Sequence, residues 1–304
     1  MAPTTRTSVM VFTALAFVLC WGLIGGVWLL EWTASPWARL LGVVYMWIPG
    51  LLAIWMMRKE CPETWTTVLG LPMQVNRWWL VAWGIPPVLL LGTVVVGMAW
   101  PGVVWDPRAG LLIEQVRAAL PPERSAEIMQ TLQAHPLRIL AISVLGGLVA
   151  GPTINALVAL GEELAWRGAL YRWLRPLGFW RSAGLIGVIW GVWHWPMVLL
   201  GLNYPEHREL GVVWMIVFTV LLTPVIQWVR EMGRSVWPAA IFHGTLNGLG
   251  GIPWMVLRGA DDRVIGIAGV TGWIVLCGVN IAVWVHVRKR LTDVRAPYDS
   301  RASR

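Results

Sequence analysis

The chain has 304 residues with a formal net charge of +8, and 57% of them are hydrophobic against 13% charged. Soluble domains carry about a quarter charged residues, so a soluble globular protein is excluded. The basic residues lie between apolar blocks and form no basic and aromatic constellation, which argues against nucleic acid as a partner and for a lipid bilayer.

The apolar blocks run for about 20 residues, the length a helix needs to cross a hydrocarbon core of about 30 Å. They are continuous rather than alternating, so helices are expected in place of a barrel. In chain order the spans fall at 9–30, 39–57, 78–99, 139–162, 183–201, 211–229, 237–257 and 264–287. The fold expected is all-α, a polytopic transmembrane helical bundle of about eight spans. The first block is too long for a signal-peptide core and no small-residue cleavage site follows it, so it reads as an uncleaved span. Trp28, Trp32, Trp37, Trp78, Trp79, Trp180 and Trp237 crowd the block edges as interfacial anchors do. Between the third and fourth spans, Leu111, Leu112, Ile113, Val116 and Leu120 recur at helical spacing within a stretch of mixed charge. That stretch reads as a solvated hairpin, or as a short amphipathic helix on the surface. The tail from Arg288 to Arg304 is polar and basic and is expected to be disordered.

These blocks divide the chain into an N-terminal part (1–138, three spans and a long outer loop), a core (139–257) and a last span with its tail (258–304). With the N-terminus inside, sixteen Lys and Arg fall on the inner side and eight on the outer side. Both termini are therefore expected in the cytoplasm. Arginine greatly outnumbers lysine, which occurs only at Lys59 and Lys289, a composition that suggests a prokaryotic cytoplasmic membrane. Cys20, Cys61 and Cys277 are far apart and supply no disulfide framework or metal knuckle.

Ionisable groups inside a span cost a few kcal/mol each, so each asks for a reason. The fourth span ends in Glu162-Glu163 followed by Arg167, the fifth carries Trp190 and His194, and the seventh carries His243 and Asn247. Residues four apart share a helix face, so Glu163 can pair with Arg167 while Glu162, turned by about 100°, aims elsewhere. Counting about 1.5 Å per residue from the helix starts puts these groups in the inner half of the membrane, lining one cavity open to the cytosol. Taken singly, the glutamates read as a helix end meeting headgroups, the histidines as interhelical hydrogen bonds and Asn247 as interhelical glue. An acid pair, two imidazoles and an amide at matching depth read instead as a functional site.

Glu162-Glu163-xxx-Arg167, Trp190-xxx-His194 and His243-xxx-Asn247, in that order, resemble the three motifs of the CPBP family of intramembrane proteases, which includes the type II CAAX prenyl endopeptidases. The likeness covers about residues 140–257, with a looser match at Val68-Leu69-Gly70-Leu71; Trp190 stands where phenylalanine is common. The resemblance implies an intramembrane endopeptidase acting on a membrane-associated or prenylated CAAX-like peptide. In that reading Glu162 deprotonates water, His194 helps hold it, and His243 and Asn247 donate to the oxyanion. Glu163 and Arg167 form a supporting pair. The resemblance favours a site without metal; the alternative is zinc held by Glu162, His194 and His243, although the HExxH spacing is absent. Two other readings stay open: a catalytically idle scaffold on the same fold, and a proton-coupled transporter.

Overall fold

The computed structural model describes residues 3–30, 38–107 and 134–299, together with Glu123, Ala126, Ile128 and Gln130. The amphipathic stretch expected at Leu111–Leu120 lies outside the described residues. Helices α1 (Pro3–Leu29), α2 (Ala38–Glu60), α3 (Trp65–Leu69) and α4 (Trp78–Met98) come first. After α4, a two-residue strand β1 (Val104–Trp105) leads towards the long helix α5 (Pro136–Leu177). Next come α6 (Phe179–Trp193), α7 (Trp195–Leu199), α8 (Arg208–Gly233), α9 (Val236–Leu249) and α10 (Ile252–Val256). Strand β2 (Leu257–Arg258) and α11 (Val270–Asp299) complete the chain. The two strands pair antiparallel, Val104 opposite Arg258, and tie the loop after α4 to the loop after α10.

The molecule is an all-α bundle in which, among the described residues, six helices are long and apolar enough to cross a membrane. The other two expected spans are each broken. The fifth is α6 and α7, interrupted at His194, and the seventh is α9 and α10, interrupted at Gly250 and Gly251. The fourth span does not end at Glu162 as expected. Helix α5 runs on for 42 residues in all, because Glu162, Glu163 and Arg167 are buried and bonded to neighbours rather than reaching for headgroups. The tail, expected to be disordered, continues α11 as helix up to Asp299.

Close backbone contact sets the helix positions around the core. In α5 and α9, Gly147, Gly151, Gly244 and Gly248 face one another; a Cβ on Gly244 would run into the backbone N of Ala156, and one on Gly151 would stand 2.6 Å from Cα of Thr245. Small residues four apart let helix backbones approach in this way. The same device brings α6 to α8, where Cβ atoms on Gly187 and Gly191 would meet Val220 and Ile216 at 2.7 and 2.6 Å. It also brings α2 to α5 at Gly50 and Gly161. Two π-helical segments, Gly151–Asn155 and Leu164–Leu170, lie in α5 on either side of the glutamate pair. Such segments free backbone carbonyls, and the Arg167 carbonyl accepts from Nε of Arg230 at 3.1 Å.

Candidate active site

Glu162 and Glu163 are consecutive on α5 and divide between two sets of donors. Oε1 of Glu163 accepts from Nη1 of Arg167 at 3.0 Å and from Nδ1 of His243 at 2.8 Å. Glu163 and Arg167 are both fully buried, and Nη2 of Arg167 donates on to Thr223 on α8 at 3.3 Å. A buried carboxylate needs this compensation, because an unpaired buried charge costs several kcal/mol. Glu162 faces the other way. Its Oε2 accepts from Nε1 of Trp190 at 2.6 Å and from Nε1 of Trp166 at 3.3 Å. With Oε2 engaged twice, Oε1 is the oxygen left for chemistry.

His194 stands at the break between α6 and α7. Pro196 has no N–H to offer the carbonyl of Val192, so the helical ladder is interrupted beside the histidine. Nδ1 of His194 donates to the Trp190 carbonyl at 2.8 Å, which leaves Nε2 for the cavity. His243 has its Nδ1 on Glu163, which likewise frees Nε2. Both imidazoles lie against the Trp190 ring, with centroids 5.6 Å away for His194 and 5.4 Å for His243. The guanidinium of Arg167 stacks over the same indole at 4.4 Å. Trp190 is thus the hub on which the acid, both imidazoles and the buried arginine converge. Asn247, one turn after His243, is exposed.

Glu162, Trp190, His194, His243 and Asn247 all line one cavity of about 540 Å³. Its other walls are largely apolar, including Met46, Met197, Met215, Phe218, Leu222 and Trp254. A mostly apolar cavity of this size with a few convergent polar groups has the usual form of a ligand-binding site. The structure therefore brings together every residue that the motifs single out. Glu163 and Arg167 sit behind the wall, and Glu163 does more than pair with Arg167, since it also holds His243.

The cavity also extends to one end of the bundle. Its lining at that end, the rim of the bundle, includes Gly42 and Val43 at the start of α2, Leu202 and Asn203 after α7, Gly250 and Gly251 after α9, and Ile265 to Ala268 before α11. These are the helix ends on the side away from both chain termini.

The rim has its own polar clasp. Nδ1 of His207 donates to Oδ1 of the buried Asp262 at 2.6 Å, and the hydroxyl of Tyr204 donates to the Ala268 carbonyl at 2.8 Å. Hydrogen bonds from Arg263 hold the carboxyl of Asp261 below its ordinary range. Burial, with the charges of Asp262 and Asp261, pushes Glu206 above the usual carboxylate range.

The three side chains that the zinc alternative would use do not meet as a compact ligand set in this arrangement. Among the described residues, the group with three ligand atoms within 4.8 Å of one another is His207, Asp261 and Asp262 on the rim, not Glu162, His194 and His243.

Residues 137–249 match the family model described as type II CAAX prenyl endopeptidase Rce1-like. Residues 137–249, a little more than a third of the chain, are therefore similar to CAAX-type proteases. A CAAX prenyl protease 2 of Methanococcus maripaludis is 29% identical over 97 residues, which cover 30% of this chain and 36% of that protein. The match thus spans about a third of that relative's length. No solved structure matches the chain. The matched segment holds the whole polar constellation but not α2, whose Gly42, Val43, Tyr45 and Met46 also line the cavity.

Several residues at the site escaped the motif reading. Trp166 lies four residues after Glu162, a spacing that offers its indole to the carboxylate. Thr223, Arg230 and Tyr45 carried no signal, because their roles arise only when α8 and α2 pack against α5 and α6. The Val68-Leu69-Gly70-Leu71 stretch acquires a role as well. Gly70 turns at φ +76°, and its carbonyl accepts from the backbone N–H of Val236 and the hydroxyl of Ser235, both at 2.9 Å. That anchors the start of α9, the helix that carries His243.

Proposed function

We propose that the protein is an intramembrane endopeptidase that hydrolyses a peptide bond with a water activated by Glu162. The observation that supports this most is the division of labour between adjacent glutamates: Glu163 is tied to Arg167 and His243, whereas Glu162 keeps one oxygen towards the cavity. General bases positioned in this way contribute about 10²–10⁴-fold to rate. In the proposed step Oε1 of Glu162 takes a proton from water as its oxygen attacks the scissile carbonyl, with Nε2 of His194 helping to hold that water. The oxyanion is met by Nε2–H of His243, as the imidazolium backed by Glu163, and by the side-chain amide of Asn247. Donors positioned for a developing charge are worth about 3 kcal/mol each. Protonated Glu162 then returns its proton to the leaving amine as the C–N bond breaks, so the carboxylate is regenerated. Each step uses the chain's own side chains and one water.

The substrate in this reading is a membrane-associated peptide, CAAX-like or otherwise, whose apolar side chains fill the methionine-rich walls. The excess of Lys and Arg on the side of the termini supports cytoplasmic termini in a prokaryotic membrane, and the cavity rim then faces the outer side. Substrate trapping tests the reading. Membranes containing Glu162→Gln protein are solubilised, and peptides that copurify are identified by mass spectrometry against wild type. Peptides enriched on the variant and cleaved by wild type are expected; enrichment of nothing would remove the support for a protease.

A further inference from the structure

The site is completed by helices outside the CPBP-matched residues. The carbonyl of Trp193, the residue before His194, accepts a hydrogen bond from the hydroxyl of Tyr45 at 2.6 Å. It accepts a second from Nε1 of Trp21 at 3.2 Å. Tyr45 lies on α2 and Trp21 on α1, and both helices precede the matched segment at 137–249. Tyr45 is 2% exposed, its ring lies 4.3 Å from that of Trp193, and it lines the cavity. The same turn of α2 touches the glutamate helix directly. A Cβ on Gly161, the residue before Glu162, would stand 2.7 Å from the Met46 carbonyl and 2.8 Å from Cα of Trp47. One rigid stretch of α2 is therefore in backbone contact beside Glu162 and hydrogen-bonded beside His194.

We propose that Tyr45 is a positioning residue that fixes the helix break carrying His194 relative to Glu162, with Trp21 as a weaker second support. The inference rests on the proteolytic reading of the site. His194 sits where α6 stops, so its backbone is held less firmly by its own helix than that of a mid-helix residue. A carbonyl fastened from α2 supplies that restraint, and Cys20 on α1 in turn donates its Sγ–H to the Tyr45 carbonyl at 3.7 Å.

Tyr45→Phe keeps the ring and removes only the hydroxyl. The expected result is a fall in kcat of about tenfold, the scale of one buried hydrogen bond. KM should stay within about twofold, and the same substitution in a His194→Ala background should cost nothing further. Trp21→Phe should cost about threefold, in line with its longer bond. A Tyr45→Phe enzyme with wild-type kcat, or an equal loss with and without His194, would overturn the inference. A second measurement needs no catalysis: the rate at which diethyl pyrocarbonate modifies His194, read by mass spectrometry. Tyr45→Phe should raise that rate several-fold, and an unchanged rate would overturn the positioning role. If the wild-type protein cleaves nothing while His194 modification still responds to Tyr45→Phe, the proteolytic reading fails alone.

Discussion

Trp190→Phe is the sharpest probe of how Glu162 is held. Phenylalanine retains an aromatic ring against His194, His243 and Arg167 but cannot donate a hydrogen bond. The backbone carbonyl that receives Nδ1 of His194 is untouched by the substitution. What disappears is the 2.6 Å bond from the indole to Oε2 of Glu162, leaving only the 3.3 Å bond from Trp166. Hydrogen bonds to charged groups contribute about 1.5–3 kcal/mol, and about 1.4 kcal/mol is a factor of ten in rate. The carboxylate that must aim Oε1 at water loses its shorter tether, so kcat should fall by roughly 10–100-fold if all of that energy is used for orientation. Trp166→Phe removes the longer bond and should cost less. The assay is peptide cleavage by purified protein in detergent, followed by mass spectrometry, with each variant's thermal unfolding recorded alongside. Wild-type kcat in Trp190→Phe, or a larger loss in Trp166→Phe than in Trp190→Phe, would show that the indole clamp does not position the base.

Other substitutions test the scaffold around it. Glu163→Gln leaves Arg167 buried without its anion and frees His243; breaking a buried pair costs about 3–5 kcal/mol, so a large drop in Tm is expected, and an unchanged Tm would contradict the pairing. Gly50→Ala puts a methyl against the backbone oxygen of Gly161 and should destabilise the protein by about 1–3 kcal/mol, whereas Gly22→Ala, with open space around it, should be neutral. On the rim, Glu206 is raised by burial and by the charges of Asp262 and Asp261, so its ionised form opposes the folded loop at neutral pH and the penalty vanishes as pH falls through its raised value. Glu206→Gln should therefore raise Tm slightly at pH 7 and leave it unchanged at pH 4; the reverse pattern would refute the shift. Single cysteines at Asn203 and at Ser8, labelled with an impermeant maleimide in intact cells and in inverted vesicles, should react from opposite faces, because the rim and the N-terminus lie at opposite ends of the bundle.

The bundle was legible because uninterrupted apolar runs leave helices as the way to satisfy backbone groups in lipid. The pairing of Glu163 with Arg167 was legible for a similar reason, since spacing along one helix is fixed by its pitch. What escaped reading depends on how different helices meet. Nothing local says that the Trp190 indole points at Glu162, that Glu163 also holds His243, or that Gly161 lies against α2. The extension of α5 past Glu162 was hidden because its charges looked like a helix end and become affordable in the interior only through partners on α6, α8 and α9.

The most direct test of the account is cleavage in ¹⁸O-labelled water by wild-type protein and Glu162→Gln at matched folding stability. A farnesylated CAAX-type peptide and a pool of membrane peptides serve as substrates. Wild type should release fragments carrying one ¹⁸O in the new carboxylate, while Glu162→Gln releases none. Equal hydrolysis by both proteins, or none by wild type, would contradict it.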